Sequence, residues 1–211
     1  MSIKDNRRDY RYDTLSRESL LGDPVDQFSL WMSQALEADI IDPTAMCIAT
    51  VDSSGKPSQR MVLLKGFDQD GFVFYTNLLS RKATEISANP FVSLHFPWLS
   101  LDRQVIIGGR AESLPETDVR EYFSSRPVSS KLAAWASKQS SSLDSRLELE
   151  NQFSDVKQRF KSQDIPSPEF WGGYRVCPET FEFWQGGAHR LHDRFYFQRE
   201  QDAWKISRLS P

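Results

Sequence analysis

The chain has 211 residues, with 26 Lys and Arg against 29 Asp and Glu, a formal charge of −3, and 39% hydrophobic and 12% aromatic residues. At about 150 residues per domain this is one large domain, able to bury roughly 70% of its unfolded surface without disulfides or metal. The composition excludes disorder, and the mildly acidic balance argues against a general nucleic-acid binder, so any polyanion site has to be local.

No apolar run approaches the ~18 residues of a membrane helix, and the start, MSIKDNRRDYRYD, does not read as a signal peptide. The expectation is a cytoplasmic protein whose two cysteines, Cys47 and Cys177, are buried small hydrophobes.

Residues 1–20 are polar and Arg-rich and read as a flexible arm, followed by a single domain over 21–211. Pro24 opens a helix whose Phe28, Trp31, Met32, Ala35 and Leu36 recur at helical spacing. AMCIATVD, a turn at SSGK and SQRMVLLK read as a hairpin. DQDG turns into the strand GFVFYTN, and the short helix SRKATEISA stops before Asn89 and Pro90. FVSLHFPW and RQVIIGGRAESL are further strands.

Pro115 starts a helix ended by Pro127, and Ser129 or Ser130 can cap the next, KLAAWAS. Residues 143–161 carry Leu149, Phe153, Val156 and Phe160 at helical spacing. Three aromatic-rich strands, YRVCPETFEFW, HRLHDRFYFQR and WKISRL, close the chain. Seven or eight hairpin-linked strands interrupted by helices predict an α+β protein, an antiparallel β-barrel with helices packed around it.

Three places carry candidate chemistry. Ser80 caps a helix whose first turn holds Arg81 and Lys82, the wrong charge for the positive end of a helix dipole unless an anion docks there; two solvated cations are the alternative. Tyr122 and Arg126 lie one helical turn apart, with Ser130 at the next helix start, again fit for a phosphate-sized anion or merely a capped helix beside a surface arginine. In HRLHDRFYF, strand alternation puts Arg190, His192 and Arg194 on one face, roughly 6.7 Å apart, opposite Leu191, Phe195 and Phe197. That ridge suits a planar anionic ligand, with Trp184 ahead of it; a solvated strand face is the alternative. On the same alternation His189 and His192 point apart, which argues against zinc, and His95 turns away from Val92, Leu94 and Phe96.

At these residues the sequence resembles a known family. RMVLLK (60–65), FYTNLLSRKA (74–83), FPW (96–98), YFSSRPVSSKLAAWASKQSS (122–141), FWGGYRV (170–176) and FWQGGAHRLHDRF (183–195) are together similar to the pyridoxine/pyridoxamine 5′-phosphate oxidases, over nearly the whole chain. The resemblance implies a split β-barrel homodimer binding FMN at the subunit interface, with no metal. It places Arg60, Met61, Val62, Leu63, Leu64 and Lys65 along the flavin, and Tyr75, Thr76, Arg81 and Lys82 on it. Gln104, Trp184 and Arg194 would complete that site, and Gln139 and Ser140 would come from the partner subunit. Substrate phosphate would fall to Lys65, Tyr122, Arg126 and Ser130; Arg190 and His192 would lie over the reacting ring, and Arg7 and Tyr10 would cover it. The implied reaction takes pyridoxine or pyridoxamine 5′-phosphate to pyridoxal 5′-phosphate with O₂ as acceptor, releasing H₂O₂, and ammonia from the amine. A split-barrel protein that binds FMN without turnover is the competing reading, set against the substrate-side group Arg126, Ser130, Arg190 and His192.

Overall fold

A computed structural model describes Lys4, Asp9, Tyr10 and residues 12–211. Helix α1 (Pro24–Glu37) begins where Asp23 accepts hydrogen bonds from the N–H groups of Val25 and Asp26 and Pro24 supplies a preset φ. Its apolar stripe, Phe28, Trp31, Met32 and Ala35, is buried; Leu36, expected on that stripe, is exposed. Phe28 meets Phe67, Phe72 and Phe96 edge-on at ring distances near 5 Å, so α1 plugs the barrel interior with aromatic contacts.

The strands are β1 (Ala45–Val51), β2 (Pro57–Leu63), β3 (Gly66–Asp68), β4 (Gly71–Asn77), β5 (Phe91–Trp98), β6 (Arg103–Ser113), β7 (Trp171–Gln185), β8 (Asp193–Glu200) and β9 (Ala203–Arg208). They form one antiparallel sheet in the order β2-β1-β5-β6-β7-β4-β3, with β8 and β9 branching from β7. Lys65 N–H donates to the Val73 carbonyl at 2.8 Å, extending the β3–β4 hairpin back toward the end of β2. Residues facing inward alternate with outward ones, as along β5, where Val92, Leu94 and Phe96 are buried and His95 faces out. The predicted fold class, an antiparallel split barrel with helices, is the observed one.

Strand β7 organises the split. Its first six residues, Trp171–Val176, pair with β4, and Thr180–Gln185 pair with β8, while β6 runs along nearly the whole length. Around the barrel lie α2 (Arg81–Ala88), α3 (Glu116–Ser125), α4 (Val128–Ala136) and α5 (Arg146–Arg159). α4 is capped by Pro127, so Ser130 sits inside its first turn and neither Ser129 nor Ser130 is the cap. The proline sets the helix start two or three residues earlier than a cap at Ser129 or Ser130 would.

Two further expectations are corrected. The stretch HRLHDRF is not extended from its start: Ala188–Arg190 form a single tight turn with His189 at φ +55° and Arg190 at φ +63°, and β8 begins at Asp193. β7 ends at Gln185, so residues 186–192 have no neighbouring strand to extend against. Leu191, predicted for the core face, is therefore 71% exposed, while Phe195 and Phe197 are buried as expected. The arm also becomes anchored well before residue 20. Leu15 and Leu20 lie in the core, Asp13 pairs with the buried Arg103 at 3.1 Å, and Leu15 N–H donates to Asp193 Oδ2 at 3.1 Å.

Candidate active site

The first cluster stands at the start of α2. Ser80 occupies the N-cap, but its hydroxyl makes no capping bond and instead accepts from Lys82 Nζ at 3.3 Å. Lys82, 6% exposed, also donates to Thr76 Oγ1 at 3.0 Å and to Gln139 Oε1 at 2.8 Å. All three acceptors are neutral. Burial, with Arg60 nearby, lowers the Lys82 pKa to about 8. Arg60 reaches across from β2 to Ser58, Thr50 and the carboxylate of Glu85, the last at 3.3 Å.

Glu85, 4% exposed, collects Arg60, Arg81 at 2.7 Å, Ser58 at 2.6 Å and Thr50. Burial alone would raise its pKa; the hydrogen bonds from Ser58, Thr50, Arg81 and Arg60 outweigh it and hold the carboxyl at about 2. Sequence reasoning missed Glu85. The signal was present as an i, i+4 partner of Arg81, but its reach to β1 and β2 is tertiary.

The second cluster adjoins the first through Gln139. A cavity of about 320 Å³ is lined by Asn77, Arg126, Ser130, Ser137, Gln139 and Trp171, among others. The Arg126 guanidinium lies over the Trp171 ring at 4.1 Å. Tyr122 stacks on Tyr75 with centroids 3.8 Å apart and planes 8° from parallel, so the predicted cofactor and substrate groups touch here. Burial raises the pKa of both phenols, keeping them protonated donors. Ser140 is exposed with φ +72°, beside Gln139.

The run 60–65 divides by strand alternation. Arg60 turns to Glu85 and Val62 packs on the core, Met61 and Leu63 face outward, Leu64 is 5% exposed, and Lys65 is exposed. These six residues share a backbone edge and not one side-chain face.

The third cluster lies at the other end of β7. His192 packs on Trp184 with centroids 4.7 Å apart, and Tyr10 sets its ring edge against both, at 5.2 and 5.6 Å. Gly186 leaves the space for Tyr10, since a Cβ there would lie 2.6 Å from its ring. Gly187 N–H donates to His192 Nδ1 at 3.1 Å, which leaves Nε2 as the protonated nitrogen of the neutral ring. Burial and Arg190 lower the His192 pKa, favouring that neutral form. Arg194 is held by Glu182 at 2.8 Å, and Gln104 by His95 at 2.9 Å. Arg7 falls outside the described residues.

The predicted residues thus form two groups. Thr76 pairs with Gly172, whereas Gln104 and Arg194 both pair with Trp184, twelve residues further along β7. At roughly 3.3 Å per residue that is about 40 Å of strand path, more than one mononucleotide spans. Gln139, expected to reach the flavin from the partner subunit, is bonded here to Lys82 and Thr76 of its own chain.

Comparison with known proteins places the chain in a family. The family described as pyridoxamine 5′-phosphate oxidase matches residues 32–160, and the pyridoxine 5′-phosphate oxidase C-terminal dimerisation region matches 171–211. The pyridoxine/pyridoxamine 5′-phosphate oxidase of Escherichia fergusonii is 56% identical over 205 residues, covering 97% of this chain and 94% of the relative. That of Vibrio campbellii is 55% identical over 211 residues, covering 100% of both. Among solved structures, PhzG from Burkholderia lata 383, in complex with tetrahydrophenazine-1-carboxylic acid, superposes with TM-score 0.88 at 28% identity, covering 94% of this chain and 98% of that one. A pyridoxamine 5′-phosphate oxidase-related, FMN binding protein from Nostoc punctiforme shares the fold, with TM-score 0.70 at 15% identity over 87% of this chain and 97% of its own.

Fold and neighbours define the class, split-β-barrel oxidoreductases with a dimerisation region. The chain belongs to the pyridoxine/pyridoxamine 5′-phosphate oxidase family. Among the described residues no helix is long and apolar enough to cross a membrane.

Proposed function

We propose that the protein oxidises pyridoxine 5′-phosphate and pyridoxamine 5′-phosphate to pyridoxal 5′-phosphate, using FMN bound in a site completed by two subunits. The observation that carries this reading is the pairing of two adjacent anion sites on one half of the barrel with an Arg190–His192–Trp184 group on the other. One chain places these halves at opposite ends of β7, so a second copy has to bring its Trp184 end to the first copy's Lys82 end. Outward-facing Met61 and Leu63 on β2 and Ile106 on β6 give the sheet an apolar face for that contact.

The donor set fits a flavin phosphate. Lys82 is a buried ammonium ringed by neutral oxygens, and α2 presents free N–H groups because Ser80 does not cap them with its hydroxyl. Lys82, Arg81 and the first N–H groups of α2 would hold the FMN phosphate, and the flavin would supply two-electron oxidation at C4′ of the substrate with O₂ as final acceptor and H₂O₂ as its product.

This chain's residues bind and align. Arg126 and Ser130 take the substrate phosphate, with Tyr122 and Lys65 beside them. Arg190 is a permanent cation over the ring, and His192 holds a proton at Nε2 for the ring's oxygen. Trp184 and Tyr10 close the site to water.

The test is oxygen uptake by the FMN-loaded protein with each substrate, together with H₂O₂ and pyridoxal 5′-phosphate formation. Arg190→Ala should keep flavin and lose about a hundredfold in kcat/KM, the scale of a lost alignment contact. A yellow protein that consumes no O₂ with either substrate would refute the reading.

A further inference from the structure

Arg103, the first residue of β6, is a permanent cation that is only 4% exposed, and all three nitrogen groups of its guanidinium are engaged. Nε donates to Gln185 Oε1 at 2.7 Å, Nη1 to Gln34 Oε1, and Nη2 to Asp13 Oδ2 at 3.1 Å. Its flat face lies over the Trp31 ring at 4.4 Å. Two of these acceptors are amides of the domain itself. The third is a carboxylate, and it comes from the arm. Burial of the arginine strengthens that pair relative to one made wholly in water.

Arg103 stands in a row that crosses three strands. It pairs with Gln185 on β7, and Gln185 pairs with Asp193 on β8. The arm lies across this row. Asp13 meets Arg103 at one end, and Leu15 N–H donates to Asp193 Oδ2 at 3.1 Å at the other. Gln185 and Asp193 also bracket residues 186–192, the segment that carries His192. The arm is therefore tied down beside both feet of that segment. Tyr10 stands three residues before Asp13. Its ring meets His192 at 5.2 Å and Trp184 at 5.6 Å, in the space that Gly186 leaves. Three residues of chain reach at most about 11 Å, so pinning Asp13 confines Tyr10 to the neighbourhood of those rings.

We propose that Asp13 is a positioning residue: its ion pair with Arg103 anchors the arm, and the anchored arm holds the Tyr10 ring against His192 and Trp184. The inference rests on the proposed function for the substrate that Tyr10 covers, though not for the anchoring of the arm. Tyr10 touches the site, whereas Asp13 acts only through it. An arm ordered in advance spares each binding event the entropy of ordering that stretch of chain, so the effect falls on substrate affinity.

The test is a double-mutant cycle on the FMN-loaded protein with Asp13→Ala, Tyr10→Ala and the two combined. KM and kcat for pyridoxine 5′-phosphate are read together with hydrogen exchange at the Leu15 amide. Asp13→Ala should speed Leu15 exchange and raise KM by about fivefold, the scale of coupling between neighbouring residues. Tyr10→Ala should raise KM at least as much. Adding Asp13→Ala to it should then change KM by less than about twofold, because the arm no longer has a ring to hold. A merely structural loss would lower the active fraction, and so kcat, in both backgrounds while leaving KM alone. That result would overturn the positioning role, as would KM effects that multiply in the double variant or unchanged exchange at Leu15. If Asp13→Ala speeds exchange but the unaltered protein oxidises neither pyridoxine nor pyridoxamine 5′-phosphate, the proposed function fails and the anchored arm stands.

Discussion

Lys82 Nζ donates to Gln139 Oε1 at 2.8 Å, tying the start of α2 to a segment 57 residues further on. The acceptor is an amide, as Thr76 and Ser80 are hydroxyls, so the buried ammonium meets neutral oxygens and keeps its charge for a ligand.

The first prediction follows from that charge. Burial and Arg60 set the Lys82 pKa at about 8 against 10.5 for a free lysine. A bound phosphate favours the ammonium, so FMN affinity should fall as pH rises above about 8. Stability of the ligand-free chain should move the other way. Between about 8 and 10.5 the unfolded lysine holds more proton than the folded one, so this group's contribution rises with pH there. Flavin fluorescence quenching from pH 6.5 to 9.5 measures the affinity, and thermal melts measure the stability. Lys82→Met should bind FMN weakly and show neither trend.

Glu85 sets the second prediction. Its carboxylate holds Arg60 and Arg81 together with Ser58 and Thr50, and removing it leaves buried donors unpaired. Glu85→Ala should cost about 3 kcal/mol, lowering Tm by roughly 6–12 °C for a chain of this size. In the unaltered protein its folded pKa of about 2 lies below the free value of 4.5. The stability it supplies is therefore complete above pH 4.5 and is lost progressively as pH falls toward 2. Melts of both proteins between pH 3 and 7 should converge at the acid end. Parallel curves would show that Glu85 is not the titrating anchor.

The third prediction tests the two-subunit site. Lys82→Ala and Arg190→Ala damage opposite halves, so each homodimer is inactive while a mixed dimer contains one site with both halves intact. Unfolding and refolding an equal mixture should restore about a quarter of normal activity, since half the dimers are mixed and each has one good site. No recovery, with mixed dimers present by mass, would place both halves in one subunit.

Much of this was legible before any coordinates. Phe28, Trp31, Met32 and Ala35 announce α1, while Arg81 and Lys82 at a helix start, and Tyr122, Arg126 and Ser130, mark the two candidate anion sites on which the proposed function rests. The misses share a cause. The alternation that placed Arg190 with Arg194 assumes an extended backbone, which needs a neighbouring strand, and β7 ends at Gln185 before it can provide one. Ser130 was read as a cap because serine caps well, but the φ of Pro127 had already set the turn.

Local pattern alone determined most of the strands and helices and marked the candidate anion-binding residues, because hydrophobic period and charge at a helix start are properties of neighbours in the chain. Only the tertiary structure decided which of those residues share a site. Gln139 joins Lys82, Glu85 gathers two strands and a helix, and Trp171 comes under Arg126 because barrel closure brings together groups that the chain itself keeps far apart. Trp184 pairs with Gln104 and Arg194 twelve residues along β7 from the Gly172–Thr76 pair, a separation set by strand register and not by local pattern.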